Sequence, residues 1–82
     1  MILEENWAIH PDRIRAFFAE QPDVQSQNDG FSFGDCTITL TALEGSIGSW
    51  AIARTGICFS GPDDQVQTIH QRFFLRFLSA GG

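Results

Sequence analysis

The chain contains no lysine, and its five basic residues, all arginine, are outnumbered by ten acidic residues, which gives a net charge of -5 over 82 residues. The arginines form two separated pairs, Arg13/Arg15 and Arg72/Arg76, and one single residue, Arg54. Nucleic-acid binding depends largely on clustered cations that neutralise phosphates. The composition therefore disfavours a nucleic-acid partner, and the acidic surface favours solubility or attraction to a basic protein.

Cysteine is also scarce, since Cys36 and Cys58 are the only two. Two cysteines do not make a disulfide framework, and each lies in an apolar or alternating stretch that suits a reduced core residue. Together with His10 and His70 they are zinc-binding residue types, but structural zinc sites bring their ligands in close pairs. No two of these four residues lie within ten positions of each other. We therefore expect no metal and no cofactor.

Long apolar runs are missing as well. The longest bulky run, residues 73–75, stops at Arg76, far short of a membrane span. The first five residues have neither a positive segment nor an apolar stretch, which is unlike a secretory signal. We expect no membrane association and a cytoplasmic location.

Two segments begin with proline followed by aspartate, a pattern typical of helix starts. After Pro11-Asp12, apolar residues at helical spacing predict a helix over about 11–21. After Pro62-Asp63, a wider apolar arc predicts a helix that runs to about Leu78.

The segment between these helices predicts strands. Residues 36–42 alternate between apolar residues and threonine, and residues 48–53 return after a turn at Gly45. This turn would place Leu40 opposite Trp50 and would pair Gly34 with Gly56. We expect one long antiparallel hairpin over 31–60, kinked at Gly34/Gly56, where side chains are absent. The alternative is a turn at residues 54–56 and two short strands.

A weak edge strand at 24–27 and a turn at 28–30 complete the predicted order α-β-β-β-α, with both helices on one face of a three-stranded antiparallel sheet. We predict one α+β domain over 1–82, with a lead-in segment at 1–9 and a flexible tail at 80–82. In the lead-in segment, Trp7 and Ile9 alternate as in a strand, but they equally fit an apolar segment that packs on the first helix. The order resembles that of double-stranded-RNA-binding domains, but a shared topology implies no shared function.

The predicted pairing puts small β-prone side chains and large apolar ones on the same side of the hairpin. Two short helices cannot easily cover both faces, so we expect some apolar surface to remain for a partner or a second copy. The alternative is that the kinked sheet folds round the helices and buries this surface. The candidate interaction surface comprises Phe31, Phe33, Thr37, Thr39, Thr41, Ile57 and Phe59, next to Ser49, Ala51 and Ala53.

Chemistry-bearing patterns are few. His70 lies in the apolar arc of the second helix, and Cys58 ends the last strand, so a polar site formed by the two is one candidate. No phosphate-binding or nucleophile-elbow motif is present. The terminal Gly81-Gly82 resembles the end of ubiquitin-like sulfur carriers, which are activated at that carboxylate. That resemblance covers two residues, and those proteins place a strand, not a helix, before the tail.

The sequence therefore favours a non-enzymatic protein-interaction or regulatory module that binds a protein partner or a second copy of itself. The alternative is a small ligand-binding or thiol/histidine-dependent catalytic domain that uses His70 and Cys58. A sulfur carrier acting through Gly81-Gly82 is a third possibility.

Overall fold

The computed structural model describes the backbone of residues 1–47 and 50–80 and the side chains of residues 1–43 and 54–78. Two helices and a five-stranded antiparallel sheet form the fold, which confirms the predicted α+β class. The elements in chain order are β1 (Ile2–Trp7), α1 (Pro11–Glu20), β2 (Gln25–Gln27), β3 (Gly30–Phe33), β4 (Cys36–Ile47), β5 (Trp50–Ser60) and α2 (Asp63–Ala80). The strand order in the sheet is β1-β5-β4-β3-β2.

Both helices start where the Pro-Asp pattern predicts. At α1 the side chain of His10 caps the helix, because its Nδ1 accepts a hydrogen bond of 3.1 Å from the backbone N–H of Asp12. Pro11 occupies the first turn, where its missing N–H costs nothing. At α2 the first-turn acids Asp63 and Asp64 lie at the positive end of the helix dipole.

The helices pack on one face of the sheet. The ring of Phe73 in α2 stacks on Phe18 in α1 with a centroid separation of 5.8 Å, and both rings contact Phe59 of β5. The core comprises Ile14, Phe17, Phe18, Phe31, Cys36, Ile38, Ile57, Phe59, Val66, Ile69, Phe73 and Phe77. Thr55, a buried polar residue in this layer, donates a hydrogen bond of 2.6 Å to the carbonyl of Ile9 and so joins β5 to the β1–α1 connection.

The sheet has five strands instead of the predicted three. Residues 2–7 of the predicted lead-in segment are strand β1, which pairs along its whole length with β5. The predicted strand after residue 31 is divided into β3 and β4, because the chain reverses at Gly34 and Asp35 and places Phe33 opposite Cys36. Gly34 has a φ of +59°, which suits a two-residue hairpin turn with glycine first. The glycine therefore makes a turn and not a kink.

The predicted register of the central hairpin is also wrong. Leu40 lies opposite Ile57 and not Trp50, and Gly56 lies opposite Thr41 and not Gly34. The pairing is displaced by seven residues, because Gly45 does not form the turn but lies in β4 and pairs with Ile52 of β5. Side chains alternate between the two faces of a strand, so a displacement by an odd number of residues reverses the face on which each β5 side chain lies relative to β4. Apolar residues that the prediction placed on opposite faces therefore lie on the same face.

Candidate interaction site at the first strand

The seven residues of the predicted interaction surface do not share one face. Phe31, Ile57 and Phe59 are buried in the core beneath the helices. Phe33 is half-buried on the same side, where the guanidinium of Arg72 lies 5.2 Å from its ring centroid. The predicted surplus of apolar surface is therefore not present at these residues, because the corrected register turns them inward.

Thr37, Thr39 and Thr41 are exposed on the opposite side of the sheet, which we call the open face. Glu4 of β1 and Cys58 of β5 lie on the same side, since strand residues alternate between faces. The predicted contributions of Ser49, Ala51 and Ala53 lie outside the described side chains. An antiparallel sheet commonly exposes one polar face to water, so threonine here fits solvation as well as contact.

His70 and Cys58 do not form a site. Cys58 is on the open face, whereas His70 projects from α2 onto the helix-covered face, where its ring meets Phe59 edge-on at 5.4 Å. The sheet itself separates the two side chains. The pairing suggested by the sequence failed because the direction of a strand residue cannot be read without its register.

The structure instead joins His70 to β1. Its Nε2 donates a hydrogen bond of 2.9 Å to Oε1 of Glu5, and the same oxygen accepts a bond of 3.1 Å from Nε1 of Trp7. The side chains of Glu5 and His70 remain 28% and 22% exposed. A partly buried carboxylate is stabilised when two donors satisfy it, so this cluster fixes β1 against α2.

A helix flank continues from this cluster. His70, Phe74 and Leu78 follow at four-residue spacing, which places them on one side of α2. Phe74 contacts Trp7 edge-on at 5.9 Å, yet Phe74 is 37% exposed and Leu78 is 54% exposed. The α-amino group of Met1 lies 3.4 Å from a carboxylate oxygen of Asp63, so α2 accompanies β1 from its beginning.

The hydrogen bonds at Met1 define which backbone groups of β1 remain free. Met1 and Gly61 exchange two backbone hydrogen bonds, of 2.9 and 3.0 Å. In an antiparallel pair such exchanges occur at alternate residues, so Leu3, Glu5 and Trp7 also bond to β5. The N–H and C=O groups of the residues between them, Ile2, Glu4 and Asn6, therefore point away from β5.

These groups lie at an edge of the sheet, because β1 is the first strand in the sheet order and pairs with β5 alone among the described strands. We call the outward backbone groups of Ile2, Glu4 and Asn6, together with the flank of His70, Phe74 and Leu78, the edge site. It unites unpaired main-chain groups with exposed apolar side chains at one place on the molecule.

Three further groups have shifted pKa values. A hydrogen bond of 2.8 Å from Arg72 lowers the pKa of Asp23 and raises that of Arg72, which ties the segment after α1 to α2. Burial raises the pKa of the Cys36 thiol, which keeps it in the neutral form. None of the three belongs to the edge site.

Sequence reasoning missed Glu5 and most of β1. Residues 2–7 alternate in burial, but their sequence places two glutamates in a row and breaks the apolar alternation that identifies strands. The alternation of Trp7 and Ile9 was the available signal, and it equally fitted an extended lead-in. The partner that decides the matter, β5, is about fifty residues away in the chain.

No protein-family model, curated protein sequence or solved structure matches this chain. Within the described residues, no helix has the length and apolar character needed to cross a membrane. The same part of the chain contains no group of three or more metal-ligating side chains.

Proposed function

We propose that this chain is a non-enzymatic protein-interaction module that binds an extended segment of a partner protein at the edge site. One observation carries the proposal: the main-chain groups of Ile2, Glu4 and Asn6 point out of the sheet at a free edge. Unpaired edge groups are a template for another strand, and strand addition of this kind is a recurrent mode of peptide recognition.

The helix beside the edge supports the proposal. In strand addition, main-chain hydrogen bonds supply affinity and pockets for alternate side chains supply specificity. Phe74 exposes apolar surface beside Trp7, and Leu78 exposes more surface one turn further along the same side of α2, where the alternate side chains of an added strand would lie. The site thus has both of the parts that peptide recognition needs.

The two edges of the sheet differ in a way that favours β1. Natural edge strands are protected by shortness, proline, bulges or charge. The opposite edge, β2, has only three residues. By contrast, β1 has six residues, contains no proline and pairs with β5 without a bulge. Charge, from Glu4 and Glu5, is the protection that β1 retains.

The other candidate functions have less support. The thiol/histidine alternative needs His70 and Cys58 together, and they lie on opposite faces of the sheet. Self-association was predicted from an apolar surface, but most of the apolar residues in that surface are buried in the core. Self-association stays a prediction, and this surface does not support it. The sulfur-carrier interpretation of Gly81-Gly82 stays a prediction too, because these residues lie outside those described.

A proline at position 4 tests the proposal. Glu4→Pro removes an outward N–H but no bond to β5, and proline is tolerated in edge strands with this orientation. Linear decapeptides selected from a randomised phage-displayed library against the parent chain should bind the Glu4→Pro variant at least about tenfold more weakly, which corresponds to about 1.4 kcal/mol.

Glu4→Ala is the matched control, since it removes the same carboxylate but keeps the N–H. It should retain more of the peptide affinity than Glu4→Pro, and the thermal unfolding of both variants should stay near that of the parent chain. Enrichment of no linear peptide, or equal affinity of the parent and proline variants, would contradict the proposal.

A further inference from the structure

The geometry points to a partner segment in which apolar and basic residues alternate, with a basic residue opposite Glu4. This inference rests on the proposed function and names the chemistry of the ligand at the same site. The side chains of β1 form two rows, one on each face of the sheet. The inference follows from the hydrogen bonds that each row already makes.

The open-face row comprises Ile2, Glu4 and Asn6. Asn6 is engaged, because its Oδ1 accepts a hydrogen bond of 3.2 Å from Nε of Arg54. Glu4 is exposed, and among the described residues no hydrogen bond or ion pair engages its carboxylate. Directly opposite residues in an antiparallel pair lie on the same face with their Cβ atoms about 5 Å apart, and opposite charges there attract. A basic side chain opposite Glu4 would therefore find an unused carboxylate.

The helix-side row comprises Leu3, Glu5 and Trp7. Here the acid is already satisfied, because Oε1 of Glu5 accepts bonds from both His70 and Trp7. The remaining neighbours, Leu3 and Trp7 in the strand and Phe74 in the helix, are apolar. Apolar side chains are therefore the complement of this row, and a strand with period two presents them between its basic ones.

A second copy of the chain fits this edge poorly. When β1 pairs antiparallel with itself about a two-fold axis, the two registers that use most of the strand place Glu4 opposite Glu4 or Glu5 opposite Glu5. Like charges directly opposite are destabilising. A register that avoids both contacts, centred on Leu3, leaves half of the strand unpaired. The carboxylates thus act against self-pairing and in favour of a basic strand, and the net charge of -5 attracts such a strand at longer range.

Synthetic octapeptides with blocked ends test the inference. One alternates valine and arginine, a second alternates valine and glutamate, and a third has the composition of the first with its four valines before its four arginines. The readout is amide hydrogen exchange of the parent chain, followed by NMR. The valine/arginine peptide should bind and slow exchange at Ile2, Glu4 and Asn6 by at least about tenfold, whereas Leu3 and Glu5, already bonded to β5, should change little.

Glu4→Gln should weaken binding of this peptide by roughly twofold to fivefold, as expected for one cross-strand charge pair. Glu20→Gln is the matched control, because it neutralises an exposed acid at the end of α1, outside the edge site. It should leave the affinity almost unchanged.

The contrary outcomes distinguish strand addition itself from the alternating basic chemistry of the added strand. Equal binding of the alternating and the block peptide would show charge attraction alone and would overturn the inference. Stronger edge protection by the valine/glutamate peptide would overturn the basic chemistry and leave strand addition standing. Slow amide exchange at Ile2, Glu4 and Asn6 without any peptide, in a chain that sediments as a dimer, would show that a second copy binds this edge. Protection by no peptide would overturn the proposed function as well.

Discussion

The two cysteines show how one residue type acquires different chemistry on the two faces of a sheet. Cys36 is fully buried under the helices, and burial raises the pKa of its thiol. Cys58 is half-buried on the open face beside Thr39 and Thr41. The thiolate is the reactive form, so both access and acidity disfavour reaction at Cys36.

We therefore expect iodoacetamide to label the native chain at Cys58 first, with Cys36 slower at every pH up to about 9, and peptide mass spectrometry to read the two sites separately. Both sites should react at similar rates in denaturant, which controls for intrinsic reactivity. Faster labelling of Cys36 in the native chain would show that the packing around it is wrong.

His70 marks the limit of sequence reasoning at the residue scale. Its place near the buried arc of α2 could be predicted from helical spacing, because that spacing depends only on neighbours in the chain. Its partner Glu5 is 65 residues away, and no local pattern links them. The candidate site could therefore not be predicted, since every member from β1 depends on a long-range pairing.

Gly34 and Gly56 separate turn chemistry from strand chemistry at the element scale. Gly34 needs a positive φ, and an added Cβ there would lie 2.9 Å from Nε2 of Gln65. An added Cβ at Gly56 would lie 3.4 Å from Leu43, an ordinary contact, in a strand conformation that any residue adopts. The two glycines, which the sequence made equivalent, therefore have different roles.

Gly34→Ala should lower the free energy of unfolding by about 1–2 kcal/mol, the cost of a left-handed conformation at a non-glycine residue. Gly56→Ala should be neutral or stabilising by up to about 1 kcal/mol, since alanine loses less conformational entropy in a strand. Urea denaturation of both variants measures the difference. Equal destabilisation would instead favour the kinked hairpin, in which the two glycines oppose each other.

The contrast between local signals and long-range pairing explains which elements could be predicted. The helices have local start signals and a continuous apolar arc, and both were placed within about two residues. The strand at 36–42 has local alternation, but alternation does not determine the register with the partner strand, and the turn predicted at Gly45 gave the wrong register. Gly34-Asp35 was an available hairpin signal between two apolar segments, and recognising it would have divided the long strand.

On the scale of the whole molecule, the two faces and the two edges of the sheet differ in what covers them. Both helices cover one face of the sheet and build the aromatic core, whereas the open face is polar. The short β2 closes one edge of the sheet, and the longer β1 leaves the other edge free beside α2. The free edge is thus the place where unpaired main-chain groups, exposed apolar side chains and Glu4 meet.

The net charge of -5 should affect the rate of binding more than the lifetime of the complex. Long-range attraction accelerates the encounter with a basic segment and is screened by salt, while main-chain and apolar contacts determine dissociation. Between about 30 and 300 mM NaCl, the association rate constant of the valine/arginine peptide should fall by roughly tenfold or more, with a dissociation rate constant that changes less. Stopped-flow fluorescence of a labelled peptide measures both constants.

Glu20→Gln should lower the association rate slightly at low salt without altering dissociation, whereas Glu4→Gln should also accelerate dissociation. A salt-independent association rate would show that the acidic surface plays no part in recognition.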